Sequence, residues 1–376
     1  MKVEKVKESW AEHGHQGFPE PLMRVEAAPA LLENGWAITR RQYMDGDSNL
    51  RKVAVVSGMS SRISEPNARS GDSRPGKEAT QARSWVCDQL ELIPITLGSQ
   101  NMVEFVESVK QISRYVDAVC LDSISTLQCY EIETILNDEL QIPVMHNEQH
   151  GSAIVVFAAL INAARLRSRK VGQLKVVIAG DGPAATGIAE LLLAQGIADI
   201  ILVDSQGIIS RERNELNAVQ DDLAWLTNPG GRIGGLKEAV DGADAIITWG
   251  GEASTEDHLE GLALDAVVFE LVPLGPWVVP STEPTAGVGR TVLSTRLNKL
   301  LALPGTFQGA LDGGSKCITL DMKIAAAHAI ADIAAEDGLW PGQVIPDWKD
   351  PRVTRAVARA VETTARRSLE RSRLVS

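Results

Sequence analysis

Short apolar runs alternate along the chain with longer segments in which apolar residues recur every three or four positions. The short runs are rich in Val and Ile and predict strands, whereas the longer segments predict amphipathic helices. This alternation is typical of an α/β protein with parallel sheets. In the first part of the chain the predicted strands are 52–57, 92–97, 119–121 and 142–145, and the predicted helices are 102–116, 132–140 and the apolar segment after Gly151.

The same alternation continues through the second part of the chain. A predicted strand at 175–179 leads into a helix, and the next predicted strand ends at Asp204. Further predicted strands follow and extend a parallel sheet. Predicted helices alternate with them, and near its end the chain is wholly helical. These strands are 245–249 and 267–271, and these helices are 236–241, 320–335 and 351–371.

Two acidic residues follow neighbouring predicted strands where each strand ends. Asp122 comes directly after the strand 119–121, and Glu148 lies in the polar segment that follows 142–145. The carboxyl ends of parallel strands meet at one edge of a sheet, and ligands bind at that edge. Both residues also suit ordinary turns and helix caps, so spacing alone leaves the two interpretations open.

A glycine-rich turn joins the predicted strand 175–179 to its helix. It reads Gly180-Asp-Gly182-Pro-Ala-Ala185, and the following strand ends on Asp204. This is the G-x-G-x-x-A arrangement of dinucleotide-binding units, in which the backbone approaches a pyrophosphate and an acid reaches the ribose. A purely structural tight turn is the alternative. Because Asp204 would repel a 2′-phosphate, we expect NAD as the cofactor, with NADP as the second possibility.

Composition restricts the class of protein. The chain has 376 residues, and this length suggests two domains. It carries 37 basic and 49 acidic side chains, for a net charge of −12. This acidic balance argues against nucleic acid or an anionic membrane as a partner. The sequence shows neither an apolar span nor a secretory signal, and its four cysteines are scattered. We therefore expect a cytoplasmic protein whose partners are small molecules.

Four segments of the sequence resemble the malic enzyme family. The first runs from Ile142 through His146-Asn-Glu-Gln-His-Gly151 to Val156, and the others are 309–312, 322–327 and 344–352. The resemblance as a whole covers most of the chain in order, from about residue 18 to 365. The resemblance implies an α/β fold with a Rossmann-like NAD-binding domain and an α/β substrate domain with a parallel sheet. It also implies that the protein is a homodimer.

The resemblance also implies domain limits. We expect an N-terminal substrate and metal domain over 1–165 and the NAD-binding domain over 166–305. The C-terminal helices, 306–376, would pack back on the substrate domain.

Several catalytic and substrate roles follow from the resemblance alone. Tyr43 would be the catalytic acid and Lys77 the general base, while Arg62 would grip a substrate carboxylate. A structurally hydrogen-bonded tyrosine and a solvated loop lysine remain the alternative interpretations of the first two. Asn298 and Lys299 align with a family Asn-Asn pair that contacts substrate. Ser152 aligns with a residue of the cofactor site.

The metal site departs from the family pattern. The resemblance implies Asp122 and Glu148 as ligands of Mg or Mn, but Ser123 and Asn147 stand where the family has further acids. Val272 also replaces a family asparagine. Two carboxylates still permit a weak divalent site, because substrate and water complete the coordination of these ions. We expect the altered pocket to prefer an acid other than malate.

These features lead to one expected function and two alternatives. The expected function is NAD(P)-dependent oxidative decarboxylation of malate or a related 2-hydroxy acid with a divalent metal. The first alternative is a metal-independent 2-hydroxy acid dehydrogenase on the same fold. The second is an NAD-binding regulatory or scaffold protein that has lost catalysis.

Overall fold

The structure is a computed structural model of the chain. It describes residues 50–58, 89–98, 101–124, 128–249, 261–263, 265–271, 284–287, 290–340, 343–347 and 349–375. Four residues singled out in the sequence therefore lie outside the described residues. They are Tyr43, Arg62, Lys77 and Val272.

The first sheet has four strands, and all neighbouring strands are parallel. Its elements are β1 (Arg51–Ser57), β2 (Leu90–Thr96), α1 (Met102–Ile112), β3 (Ala118–Asp122), α2 (Gln128–Glu139) and β4 (Val144–His146). The strand order is β2-β1-β3-β4, so β3 and β4 are neighbours. Every residue of β3 is buried, as expected of a parallel strand covered on both faces. Asp122 thus ends a wholly buried strand.

A long buried helix connects the two sheets. One turn of π-helix, Asn147–Gly151, follows β4 and leads into α3 (Ser152–Leu166). All residues from Ser152 to Ala164 are buried, which is the pattern of a helix enclosed by the core on every side. Its side chains belong to one apolar cluster that also contains residues of both sheets. The helix therefore fixes the two sheets relative to each other.

The second sheet has seven strands in the order β10-β11-β9-β8-β5-β6-β7. Its elements are β5 (Lys175–Ala179), α4 (Pro183–Ala194), β6 (Asp199–Asp204), β7 (Gly207–Ile208), α5 (Ala218–Leu226), α6 (Leu236–Val240), β8 (Ala245–Trp249), β9 (Val267–Leu271), β10 (Pro284–Gly287) and β11 (Arg290–Leu297). The central five strands are parallel, and the edge strands β7 and β10 are antiparallel to their neighbours. The carboxyl ends of β5 and β6 thus lie side by side, as in a nucleotide-binding fold.

Three helices close the chain, and the first of them contacts the first sheet. They are α7 (Leu303–Asp312), α8 (Leu320–Glu336) and α9 (Pro351–Val375). Asp312 pairs with Arg51 of β1 at 3.2 Å, and Asn162 of α3 donates to backbone oxygens of Ala331 and Val344 at 2.8 Å each. On α7, a Cβ added to Gly309 would lie 2.3 Å from the backbone of α9, so glycine permits this close packing.

The observed architecture confirms the predicted fold class, a parallel α/β sheet of Rossmann type beside a second α/β unit. The domain limits at 165 and 305 stay predictions. Within the described ranges, no helix combines the length and apolar character needed to cross a bilayer.

Candidate functional site

A carboxylate on α2 holds the π-helical turn in place. Glu133 Oε1 accepts a hydrogen bond from the backbone N–H of His146 at 3.0 Å, and its Oε2 lies 3.0 Å from Nε2 of His150. Burial alone would raise the pKa of Glu133, but the neighbouring His150 and the backbone donor lower it to about 2. The ionised side chain of Glu133 therefore binds both ends of the segment 146–150, which contains Asn147 and Glu148.

The end of β3 carries a buried ion pair. Asp122 Oδ1 accepts a hydrogen bond from Nζ of Lys299 at 2.9 Å and another from Nδ2 of Asn147 at 3.2 Å. The hydroxyl of Ser123 lies 3.4 Å from Oδ2 of the same carboxylate. Lys299 and Asp122 are each only 11% exposed in their side chains. Two residues from distant parts of the sequence, Asn147 and Lys299, thus meet at Asp122.

Opposite charges keep both partners of this pair ionised. Burial alone would raise the pKa of Asp122, but the Lys299 ammonium outweighs burial and holds the pKa below its ordinary value. Burial alone would lower the pKa of Lys299, but Asp122 and then Glu148 raise it above its ordinary value. Glu148, which is half-buried in the π-helical turn, thus also contributes to the field at the ammonium.

Asp122 and Glu148 were expected to bind Mg or Mn. The described residues around them do not fit a divalent ion. The ammonium of Lys299 already lies against the carboxylate oxygen that would bind it. At about 4 Å and an effective dielectric near 20, a dication and an ammonium repel each other by roughly 8 kcal/mol. Within the described residues, no group of three or more His, Cys, Asp or Glu side chains is arranged to hold a metal ion.

Beside this pair lies a histidine with no exposed surface. In the described part of the chain, neither ring nitrogen of His146 has a hydrogen-bond partner. Burial lowers the pKa of His146 to about 4, because an imidazolium would lose its hydration there. The ring is therefore neutral at physiological pH.

The π-helical turn packs directly on the helix that follows the glycine-rich turn. A Cβ on Gly187 of α4 would lie 2.5 Å from Cγ and 2.6 Å from the carbonyl oxygen of Gln149. Only glycine permits this approach, so the absence of a side chain brings α4 and the 147–151 turn into contact. The acid–lysine pair and the glycine-rich turn therefore belong to one region of the molecule.

The glycine-rich turn between β5 and α4 provides an open cradle. A Cβ on Gly180 would collide with the Trp249 ring at 2.8 Å, so this glycine is needed for packing. A Cβ on Gly182, by contrast, would have no neighbour within 4 Å among the described atoms. Gly182 caps α4, and Ala185 is buried in its first turn. This open helix N-terminus suits the pyrophosphate of a dinucleotide.

Asp204 ends β6 as predicted, but its carboxylate is fully engaged. Oδ1 accepts from the backbone N–H of Gln206 at 2.8 Å and from Nη1 of Arg213 at 2.9 Å. Oδ2 accepts from Nη2 of Arg213 at 2.9 Å and from Nε2 of Gln220 at 3.2 Å. The side chain is 4% exposed. The expected ribose contact would have to replace one of these donors.

Two other predicted residues lie in the described region. Ser152 is the first residue of α3 and is 3% exposed, directly after the π-helical turn. Asn298 precedes the short 3₁₀ turn Lys299–Leu301, and its side-chain oxygen accepts a hydrogen bond from the N–H of Leu300 at 2.9 Å. Their cofactor and substrate roles stay predictions, as do those of Tyr43, Arg62 and Lys77 outside the described residues.

Sequence reasoning missed two residues that organise this region. Glu133 was assigned no role, because a buried acid on an amphipathic helix has no local signature. Arg213 was missed as well. The sequence does carry a signal for it, because a cation stands nine residues after Asp204, the acid that ends β6. Lys299 was expected near substrate, but its pairing with Asp122 spans 177 positions and leaves no mark in the sequence.

Comparisons with known proteins agree with this arrangement. Residues 149–256 match the malic enzyme NAD-binding domain family. The chain is 37% identical over 283 residues to the bifunctional malic/malolactic enzyme of Bacillus subtilis, covering 73% of this chain and 69% of that relative. It is 36% identical over 285 residues to the NAD-dependent malic enzyme of Geobacillus stearothermophilus, covering 74% and 59%. The chain thus spans between half and about two thirds of these relatives' lengths.

The solved structures give the same result. The crystal structure of the malic enzyme from Pyrococcus horikoshii is similar with a TM-score of 0.71 at 26% identity, and the match covers 96% of this chain and 91% of that one. The expected architecture is therefore confirmed. On the sequence and the fold together, this chain belongs to the malic enzyme family.

Proposed function

We propose that this protein oxidises malate or a closely related 2-hydroxy acid with NAD(P)⁺ and releases CO₂. The observation that carries the proposal is the contact of Gly187 with Gln149. It brings the dinucleotide cradle of α4 beside the π-helical turn 147–151, whose Asn147 contacts Asp122. The curated relatives, whose names describe NAD- or NADP-dependent malic enzymes, support the same reaction class.

In the proposed reaction, the chain's own residues move two protons. Lys77 takes the proton of the substrate hydroxyl, and a NAD(P)⁺ held at the glycine-rich turn 180–185 would supply the acceptor for the hydride of the carbon that carries this hydroxyl. The carboxylate next but one to the new carbonyl then leaves as CO₂, and its bonding electrons remain on the substrate as an enolate. Tyr43 gives a proton to the carbon that has lost CO₂. The products are a 2-oxo acid, CO₂ and reduced cofactor.

The remaining residues bind and orient the substrate. Arg62 holds a substrate carboxylate through its planar fork, and Asn298 lies beside the Lys299–Asp122 pair. The ammonium of Lys299 in the buried pair favours the negative charge that develops on the substrate oxygen. No step of this scheme passes through a divalent metal, because the residues at Asp122 do not fit one.

Product analysis tests this proposal. Malate isotope-labelled at the carboxylate remote from the hydroxyl would be incubated with the purified chain and NAD⁺ or NADP⁺. We expect reduced cofactor and labelled CO₂ in equal amounts, since each oxidation is followed by one decarboxylation. Formation of neither product with malate or other 2-hydroxy acids would refute the proposal.

A second candidate is a dehydrogenase that does not decarboxylate its substrate. The observation in its favour is the ammonium of Lys299 on Asp122, where a divalent ion was expected to stabilise the enolate. In this case the label would remain in the organic product while reduced cofactor accumulates. The same incubation therefore distinguishes the two candidates.

We also propose a homodimer, which the family resemblance supports. Light scattering coupled to size-exclusion chromatography would give the molar mass in solution. A mass of one chain would contradict this part of the proposal.

A further inference from the structure

The buried ion pair at the end of β3 has the geometry of an occupied cation position. Asp122 Oδ1 accepts hydrogen bonds from Nζ of Lys299 at 2.9 Å and from the amide of Asn147 at 3.2 Å. Its Oδ2 lies 3.4 Å from the hydroxyl of Ser123. These donors surround the carboxylate from two strand ends and from the 3₁₀ turn after β11. Both lone-pair sites of Oδ1 are thus engaged, and only Oδ2 has an acceptor site left for an ion from solution.

One lysine offsets part of the acidic charge near this position. Asp122 and Glu148 are the two acids that act on the Lys299 ammonium, and all three groups lie on elements that converge at one sheet edge. A single ammonium neutralises one of the two acids, whereas a divalent ion would neutralise both. Lysine is a point charge on a flexible stem and suits a compact carboxylate pocket of this kind.

The surroundings hold the ammonium in place. Lys299 is 9% exposed overall, and Asp122 is 8% exposed. The backbone carbonyl of Lys299 would lie 3.4 Å from a Cβ on Gly151, so the lysine backbone packs against the π-helical turn. Both ends of the lysine are therefore anchored, one by packing and one by the carboxylate. Displacement by a metal ion would leave an ammonium buried without its partner.

We propose that the Lys299 ammonium takes the place of a divalent cation at Asp122, so that the protein neither binds nor needs a divalent metal for turnover. This inference rests on the proposed function for the part that concerns turnover. The part that concerns metal binding stands independently. In the reaction, the ammonium stabilises the negative charge that develops on the substrate oxygen, and it transfers no proton.

Metal binding can be measured without turnover. The full chain, freed of metal with a chelator, would be titrated with MnCl₂ up to about 1 mM, the weak end of oxygen-ligand sites, while electron paramagnetic resonance reports free Mn²⁺. We expect no stoichiometric binding by the wild type. We expect Lys299→Asn to bind one Mn²⁺ per chain, because Asp122 and Glu148 lose their cation. Asp122→Asn added to this variant should abolish the gained binding.

Two results would overturn the proposal. One is binding of one Mn²⁺ by the wild type that is lost in Asp122→Asn. The other is absence of binding in the wild type and in folded Lys299→Asn alike, since the lysine would then not occupy a cation position. Circular dichroism and NAD binding establish that the variant is folded. If Lys299→Asn fails to fold, Lys299→Gln gives the same comparison.

Turnover provides the second readout. With the wild type, excess chelator should leave kcat unchanged, and a loss of activity restored by Mn²⁺ would overturn the proposal. Lys299→Met should lower kcat about a hundredfold with little change in the KM for the cofactor, the size of effect expected from removing one charge-stabilising group. Absence of any turnover in the wild type would refute the proposed function instead, and the Mn²⁺ titration would still decide the metal question.

Discussion

Arg213 forms a bidentate ion pair with Asp204, in which Nη1 donates to Oδ1 and Nη2 donates to Oδ2, at 2.9 Å each. Asp204 was expected to bind the ribose hydroxyls and to repel a 2′-phosphate. Because the guanidinium neutralises the acid, the repulsion should be weaker than that of a free carboxylate. We therefore expect Arg213 to influence the choice between NAD and NADP.

We predict that Arg213→Leu increases the preference for NAD over NADP. Loss of the guanidinium leaves the negative charge of Asp204 without its counter-charge. It also removes a cation that attracts the 2′-phosphate. A difference of one charge near a phosphate corresponds to about tenfold in the ratio of kcat/KM values. Kd values for the two cofactors, from calorimetry, give the same comparison if turnover is slow.

Arg211 offers a matched control two positions away. Its guanidinium stacks on Trp225 and donates to backbone oxygens of α5, so Arg211→Leu changes the net charge equally without touching Asp204. It should leave the cofactor preference unchanged. Equal effects of the two substitutions would show that net charge, and not the pair with Asp204, governs the preference.

Much of the fold follows from local sequence patterns. The bounds of β5, β8 and β9 agree residue for residue with the predicted strands, because buried parallel strands form continuous apolar runs. The predicted helix 320–335 agrees with α8 to within one residue. The short helix α5 was not predicted, since its segment is polar and its capping by Asn217 is a local detail.

The contacts inside the site depend on tertiary packing instead. Strand β11 was not predicted, and it is the strand that leads to Lys299. The Lys299–Asp122 contact joins residues 177 positions apart. The π-helical turn also has no separate sequence signal, because its backbone is fixed by Glu133 from another helix. Sequence patterns thus predict which strands carry the site but not which side chains meet there.

Gly182→Ala tests the nucleotide cradle without disturbing the fold. Gly182 has φ −79°, which alanine accepts, and a Cβ would meet no described atom within 4 Å. The lower entropy of alanine in the unfolded chain is offset by the poorer N-cap that alanine makes, so we expect the free energy of unfolding to change by less than about 1 kcal/mol. The added methyl group would occupy the space that the pyrophosphate needs, so the Kd for NAD should rise about tenfold or more. Urea unfolding and calorimetry measure the two quantities.

Gly230 provides the control for this substitution. A Cβ there would lie 4.0 Å from its nearest neighbour, a side-chain atom of Arg232. Gly230→Ala should also change the free energy of unfolding by no more than about 1 kcal/mol, and it should leave NAD binding unchanged. Unaltered NAD affinity in Gly182→Ala would show that the dinucleotide does not approach this turn.

Lys77→Ala should abolish formation of reduced cofactor while leaving NAD binding nearly intact. In the proposed reaction this lysine takes the hydroxyl proton, and loss of a general base lowers kcat by about a hundredfold to ten-thousandfold. Stopped assays of NADH and a fluorescence titration with NAD measure the two effects. Substitution of the exposed Lys170 by alanine is the control and should change neither. Wild-type activity in Lys77→Ala would refute its role as base.

Glu133→Gln should destabilise the protein, because the amide lacks the negative charge that the carboxylate presents to His150 and to the His146 N–H. We expect a loss of about 2 kcal/mol in the free energy of unfolding at neutral pH, typical of hydrogen bonds to a charged group. Urea unfolding measures this loss. The exposed Glu131, on the same helix, gives the control variant Glu131→Gln, which should be near neutral.

The pH dependence of this difference identifies its cause. Burial by itself would raise the pKa of Glu133, but His150 and the backbone donor lower it from 4.5 to about 2 in the folded state. The unfolded chain therefore binds the proton first as the pH falls, and the ionised carboxylate stabilises the fold fully only above pH 4.5. The stability difference between wild type and Glu133→Gln should thus shrink below pH 4.5, by at most about 1.4 kcal/mol per pH unit. A difference that stays constant there would mean that the substitution acts through packing and not through the charge of Glu133.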